Sequence, residues 1–536
     1  MKNMKRYILM FVVALLGLSF SACSLQEDPE DFINDTDFYK DDAQCEKAVN
    51  SVYYRLNGLF SYQMQIMTDA HTDLLYYGSS STVDFAHLMI SPAMPGFSAT
   101  IWQYSYQMVM YANGVLKNLE KAPIKEVSRL RFMSETAIMR AFYYYLLTST
   151  FGDVPFYTEA VDTDEAMNRI AKLPRMSAVD TRSYLINELN DYLVKMKEAD
   201  DEFVGQSGYE TFYRRTSEIK GNRAGAPMAM MLVAKMALWQ AVQDTEHEPT
   251  YWYDVALTAC NELEAIYGDL GQYSYDDVMF RYKNTPESIF EIQHTYESGG
   301  LQYYSNLAAA CNPGKKKLTT DEDGTKHATW DGVEIDIFDP EMTTWAHMHP
   351  TLALCVGLQT DGSEDYRAEV NMAWRYPART GKEFNSVSTR PWMGEKFWCP
   401  NMFSTRDHNN YKVFRYADAV LIMAECYYFK QDYTNSVKYL NMVRNRAKMN
   451  NYTFKNDRKL FEEIRNERAR ELVGEFQRKY DLVRWGIWYE ETVAKNDNTK
   501  LQQYIRPCHE YMPIPDRQVI YSGGALDNKA YNQYGM

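Results

Sequence analysis

Apolar residues recur at helical spacing in blocks that come in pairs. Ala48, Val49, Val52, Tyr53 and Leu56 mark one face of a first helix, and 101–119 reads as its partner. A longer block over 129–150, dense in Ala, Phe, Tyr and Leu, precedes one carrying Leu185, Leu189, Tyr192, Leu193 and Met196. The third pair is 228–242, rich in Ala and Met, with 251–267, where Val255, Ala256, Ala259, Cys260 and Leu263 line one side. The fourth, 415–429 with 433–447, turns at Lys430-Gln431-Asp432. Four helical hairpins predict a mainly α, solenoid-like scaffold. The stretch from Ala424-Glu425 through Asp432-Tyr433 to Ser436 and Leu440 is similar to a tetratricopeptide hairpin, in which small residues let the helices approach and aromatics lock the turn. The pairs are not tandem at the repeat's usual period of about 34 residues, and its consensus Trp and Gly are missing.

Between the third and fourth pairs the period fails. The stretch 268–410 has scattered Gly and Pro but holds five of the 10 Trp, and disordered tracts are poor in aromatics. It predicts a folded, irregular insertion, the usual seat of a binding surface on a rigid scaffold.

Composition sharpens this. The balance of 46% hydrophobic and 24% charged residues is globular, and the net charge of −15 argues against a nucleic-acid partner. Tyr outnumbers Phe by 43 to 24, a skew that suits half-wet surfaces where a ring packs and its hydroxyl hydrogen-bonds.

Lys2, Lys5 and Arg6 precede an apolar run over 8–20, then Ser21, Ala22 and Cys23. Thirteen residues span about 20 Å as a helix, too short for a bilayer core of roughly 30 Å, so 1–22 reads as a secretory signal. A Cys directly after small residues resembles a bacterial lipobox, with Phe20 where Leu is commonest; it implies cleavage before Cys23 and acylation there, and acyl chains at about 0.8 kcal/mol per CH2 would hold the protein on a membrane. Residues 23–40 read as the acylated Cys and a flexible tether, whose Glu27, Asp28, Glu30 and Asp31 resemble an export signal to the outer face of the outer membrane. No later segment reads as a bilayer span. Of the seven cysteines after Cys23, Cys260 and Cys426 fall on apolar helix faces; Cys311, Cys355 and Cys399 lie in loop-rich sequence where one disulfide could form.

Several blocks together resemble the SusD/RagB family of outer-membrane lipoproteins. They are 143–156, ending Phe151-Gly152-Asp153-Val154-Pro155-Phe156; Leu173-Pro174-Arg175 with the following helix; Gly221-Asn222-Arg223-Ala224; and Phe414-Arg415-Tyr416-Ala417-Asp418. The order continues with Leu440-Asn441 to Arg446-Ala447, then Arg465-Asn466-Glu467-Arg468-Ala469-Arg470-Glu471, Arg478, Tyr480-Asp481-Leu482 and Arg484-Trp485-Gly486, and closes on Tyr511-Met512-Pro513-Ile514-Pro515. Gly474-Glu475-Phe476 and Lys479 depart from the usual pattern. The resemblance implies a SusD-like fold: one domain over 41–536, a tetratricopeptide-like scaffold from 41–267 and 411–490, and a ligand-binding insertion at about 268–410. It further implies a cell-surface protein, lipid-anchored in the outer membrane, that captures oligosaccharides without catalysis and delivers them to a SusC-type TonB-dependent transporter. A peptide receptor of the RagB type is the alternative, and a glycan-degrading enzyme a weaker one.

Read physically, Glu467, Arg468, Arg470, Glu471, Arg478, Asp481 and Arg484 suit salt-bridged ties between helices and loops. Trp239, Trp252, Trp485 and Trp488 lie in helical blocks and read as packing, as does Trp398. A sugar needs flat aromatic platforms under its C–H faces and polar groups at its rim. The candidates are Asp73, Tyr76 and Tyr77, with Asp84, in the first long loop, and Tyr296, Tyr303, Trp330, Trp345, Trp374, Arg375 and Trp392, with Asp331, in the insertion. Three platforms at roughly 1.5 kcal/mol each would give a dissociation constant near the millimolar range. Lys315, Lys316 and Lys317 read as a solvated turn, Asp321-Glu322-Asp323-Gly324 as a turn lacking the calcium-loop pattern, and His347-x-His349 as surface residues lacking a third metal ligand. No G-x-S-x-G, phosphate loop, G-x-G-x-x-G or zincin spacing occurs, and neither a metal nor a cofactor is expected.

Overall fold

A computed structural model of the chain describes residues 38–78, 84–296, 300, 302–312, 317–330, 333–334, 347–358, 365–373, 391–399 and 405–536. The main helices are α1 (Asp42–Asn50), α2 (Ser98–Leu119), α3 (Glu126–Phe151), α4 (Ala178–Phe203), α5 (Ala226–Gln243), α6 (Pro249–Tyr267), α7 (Tyr416–Phe429), α8 (Tyr433–Arg446), α9 (Asp457–Glu471) and α10 (Arg478–Arg484). From α2 to α6 each packs on the next, and α7 packs on α6, so the scaffold continues across the insertion as if it were absent. The fold is mainly α, a succession of helical hairpins. The first pair is refined in one respect: α1 ends at Asn50, and α2 rests more on α3 than on α1.

Local chemistry accounts for the elements. In α2 the buried Ile101, Trp102, Ser105, Met108, Val109, Ala112 and Leu116 recur three and four apart, which gives one apolar face. Helix α5 starts with Pro227 in its first turn and is buried nearly all round; Ala229, Ala234, Ala237 and Ala241 leave room for close neighbours. The segment Lys220–Gln243 has the length and hydropathy of a membrane span, contrary to the sequence reading, but 94% of its apolar window is inside the protein, so it is a core helix. The Asp432 side chain accepts from the Asn435 N–H to cap α8, and Ser436 Oγ donates to Ala424 O at 2.7 Å to lock the α7–α8 turn.

Short antiparallel pairs alternate with short helices at Leu307–Cys311, Leu352–Gly357 and Arg367–Asn371 in the described part of the insertion. Strand β1 (Leu75–Tyr77) lies in the first loop, β2 (Ser288–Ile292), β3 (Thr295–Tyr296) and β4 (Gln302–Tyr303) follow α6, and β5 (Lys317–Thr320), β6 (Lys326–Trp330) and β7 (Val333–Glu334) form a meander. Then come β8 (Met348–Pro350), β9 (Met372–Ala373), β10 (Trp392–Met393) and β11 (Tyr411–Arg415). The pair β2–β11, with Tyr411 opposite Ile292, closes the base of the insertion directly beside α7. Gly394 sits where its backbone meets another: a Cβ there would stand 2.4 Å from Val370 O, and its N–H donates to Asn371 O at 2.7 Å.

Buried ion pairs bind insertion to scaffold. The Arg367 guanidinium meets Asp365, Glu467 and Glu471; Arg415 meets Glu287, Glu471 and Glu475; Lys396 meets Glu475 at 2.6 Å. The alternating charges of α9 and α10 are therefore interior ties. The expected Trp packing is also present: Trp239, Trp252, Trp398 and Trp488 are buried. The seven described cysteines are buried and form no disulfide, so none joins Cys311, Cys355 and Cys399.

Candidate functional site

The first loop is held by groups from the far end of the chain. Leading into it, the helix widens to a π turn over Ile66–Ala70, all buried, with Asp69 Oδ1 accepting from the Gly474 N–H at 2.9 Å. Asn496 Nδ2 donates to the carbonyls of Ala70, Thr72 and Leu75, Trp488 Nε1 to His71 O at 2.8 Å, and Arg478 forks onto the Asp73 carboxylate. On the other side β8 pairs with β1, Tyr76 opposite His349, and Thr351 bonds Leu74 O and Asp73 O.

This brace presents two groups of rings, since successive positions of β1 face opposite ways. Tyr76 lies 6.3 Å from His349, His349 lies 5.1 Å from Trp392, and Tyr77 lies 5.4 Å from His347 and stacks on Tyr62 at 6.5 Å. Tyr62, Tyr76 and His347 are half-buried, while Tyr77, His349 and Trp392 are buried behind them. Gly78 makes the arrangement fit: a Cβ there would stand 2.5 Å from the Tyr76 ring and 3.2 Å from the His349 ring. Burial lowers the pKa of His347, which keeps the imidazole uncharged at neutral pH.

A third aromatic group stands on the β3–β4 hairpin. Tyr296 packs edge-on to Tyr304 at 6.0 Å, and the Arg406 guanidinium covers Tyr304 at 4.4 Å. Past the hairpin, Ser305 and Asp407 exchange backbone hydrogen bonds; burial pushes the Asp407 carboxyl up to about 6, against bonds from the backbone N–H groups of Asn409 and Ala308. Asn306 Oδ1 accepts from the Tyr62 N–H, tying this segment to the group of Tyr62 and Tyr77. The chemistry on offer is apolar faces with fixed orientation and hydrogen-bonding edges, which suits stacking on the C–H faces of sugar rings.

The residues expected from sequence fall into four groups. Tyr76, Tyr77, Trp392 and Tyr296 lie on these aromatic surfaces, Tyr77 and Trp392 as the buried backing at 2% and 3% exposure. Asp73 is 5% exposed, with both carboxylate oxygens on Arg478; burial would raise its pKa, but the guanidinium overrides this and holds it below the ordinary carboxylate range. It is a brace for β1 and does not face solvent. Tyr303 lines a separate cleft with Tyr54. Trp345, Trp374, Arg375, Asp331 and the acylation candidate Cys23 lie outside the described residues; Trp330 ends β6, and its side chain lies outside them too. Sequence reasoning passed over Tyr62, Tyr304, Arg406 and the aromatic use of His347 and His349. The Tyr excess was their one signal, and it does not single out positions.

Comparison with known proteins finds two family matches. The family profile described as "SusD family" matches residues 362–529, and one described as "Starch-binding associating with outer membrane" matches 33–215. The chain is thus similar to SusD-type proteins over both of these segments. SusD-like protein P25 of Formosa agariphila is 25% identical across 97% of this chain and 98% of its own length. The crystal structure of a SusD homolog from Bacteroides thetaiotaomicron superposes with a TM-score of 0.71 at 16% identity, covering 91% of this chain and 97% of that one. Surface glycan-binding protein A from the same organism, in complex with laminarihexaose, superposes at 0.64 with 20% identity, covering 91% and 99%. At these identities the solved structures establish a shared SusD fold.

Proposed function

We propose that the chain is a noncatalytic glycan-binding protein of the outer membrane, anchored through acylated Cys23, that captures oligosaccharide and passes it to a SusC-type TonB-dependent transporter. The observation that carries this reading is the braced row Tyr76–His349–Trp392, an aromatic surface whose backing is fixed by buried contacts from both ends of the chain. Rigid rings lose little freedom when a ligand stacks on them, and each such contact contributes about 1 kcal/mol. The starch-binding description of the family matching 33–215 and the laminarihexaose held by a relative of the same fold support glycan as the ligand class. Trp330, Trp345 and Trp374 are further candidate platforms in this reading. Affinity gels of neutral and anionic polysaccharides, run with the chain lacking residues 1–23 and with its Trp330→Ala and Trp374→Ala variants, test it. Retention on one class, weakened by either variant and without product release, is expected; release of reducing ends would make the chain an enzyme, and retention by peptides alone would make it a receptor of the RagB type.

A further inference from the structure

An aromatic cavity lies where the scaffold meets the insertion. It measures about 610 Å³, within the range of small-molecule sites, and is walled by the segment after α1, by α2, by the turn at Gly221–Arg223 and by β2. Tyr54 stands at its edge at 57% exposure, an unusual setting for so large a ring. The ring is not loose. The Arg55 guanidinium lies 4.6 Å from the centroids of both Tyr54 and Tyr104, and Arg55 Nε donates to Gln107 Oε1 at 2.8 Å. Gln107 Nε2 in turn donates to Tyr111 Oη at 3.1 Å, and Tyr303 Oη donates to Tyr54 O. One network therefore fixes three tyrosines around the opening.

Two charged groups of the wall, Arg223 and Glu291, are paired with charges that do not line it. Arg223 Nε donates to Glu135 at 2.7 Å and its Nη1 to Asn50 Oδ1 at 2.6 Å, while Glu291 takes Lys412 Nζ at 2.8 Å. Lys47 at the rim is exposed. A cavity with compensated charge, fixed phenol rings and amide edges is matched by a ligand with C–H faces and hydroxyls and without net charge. We propose that the cleft of Tyr54, Tyr111 and Tyr303 is a second saccharide subsite, specific for neutral oligosaccharide and separate from the row at Tyr76. Tyr76, His349 and Trp392 do not line it, whereas Tyr303 belongs to the hairpin that carries Tyr296 and stands opposite Thr295. The inference rests on the glycan-binding reading above.

The test uses the chain lacking residues 1–23 on affinity gels of laminarin, amylopectin and glucomannan, with Tyr54→Ala, Tyr54→Phe, Lys47→Glu and Tyr76→Ala. Tyr54 is exposed, so its truncation leaves the core intact, which unchanged thermal melting confirms. The expected result is about tenfold weaker retention for Tyr54→Ala on the gel that retains the parent chain, matching the loss of one stacking platform, with Tyr54→Phe and Lys47→Glu within about twofold. Retention that Tyr76→Ala weakens but Tyr54→Ala leaves unchanged overturns the second subsite and leaves the first reading standing. A large loss in Lys47→Glu overturns the neutral class in favour of an anionic ligand. Failure of the parent chain on all three gels overturns the subsite as a site for neutral glycan, and failure on anionic polysaccharides as well removes the glycan-binding reading with it.

Discussion

Arg478 and Asp73, 405 positions apart, form a bidentate pair in the protein interior, with Nε–Oδ1 at 2.8 Å and Nη2–Oδ2 at 2.6 Å. The guanidinium comes from the first turn of α10 and the carboxylate from the loop that leads into β1, so a C-terminal helix sets the position of the aromatic row. Removing one partner strands a buried charge, which costs about 3–5 kcal/mol. Arg478→Ala is expected to lower stability to urea by that order and to weaken glycan retention through β1. Unchanged stability would show that the pair does not brace the loop.

Gly78 offers a finer test of the same geometry. Gly78→Ala places a methyl group against the rings of Tyr76 and His349, and the partly exposed Tyr76 ring has room to move aside. Weaker glycan retention with a melting temperature close to that of the parent chain is expected. Equal retention would separate the ring geometry from binding.

Lys479 is a buried amine whose Nζ donates to His509 O at 2.8 Å and lies 4.8 Å from the Trp488 ring. Burial lowers its pKa from 10.5 to about 7. Between those values the unfolded chain binds the proton and the folded chain does not, so this group makes stability rise with pH through that window; below about 7 both states are protonated and its penalty is constant. Lys479→Met is accordingly expected to raise the melting temperature most at pH 6, with the gain shrinking toward pH 10 as far as the lost bond to His509 O allows. A gap independent of pH would contradict the burial of an amine there.

Arg367 joins the insertion to α9 through Glu467 and Glu471 and also pairs with Asp365 beside it, all three carboxylates being deeply buried. Arg367→Leu leaves them without that cation, at a cost of about 3–5 kcal/mol, and the insertion should loosen first. Limited proteolysis is expected to cut the variant within 359–410 faster than the parent chain, ahead of any cut in α2–α6. Cleavage spread evenly over the chain would place the loss in the scaffold instead.

The helices were legible in the sequence because each carries a long period of its own: the 3.6-residue repeat in α2 and the α7–α8 turn are local patterns. The ion ties were legible as alternating charge in 467–484, although their partners Asp73, Arg367 and Arg415 lie far away in sequence and carry no local mark. The site was less legible for the same reason. Tyr76 and Trp392 stand out as loop aromatics, but their meeting through His349 depends on the β1–β8 register, which no short-range pattern encodes. Asp73 looked like a rim group because its type and loop position are those of a ligand residue; its partner is 405 positions away. Tyr303 stood out as a loop aromatic as well, but it meets Tyr54 across 249 positions, and Tyr54 carries no local signal.

The most direct measurement is calorimetric titration of the chain lacking residues 1–23, and of its Tyr76→Ala variant, with an oligosaccharide of the polysaccharide that the gels retain. Saturable binding without turnover heat, weakened about tenfold in the variant, is the expected result. Equal affinity in both proteins, or continuing heat from hydrolysis, would contradict a noncatalytic glycan-binding surface at Tyr76.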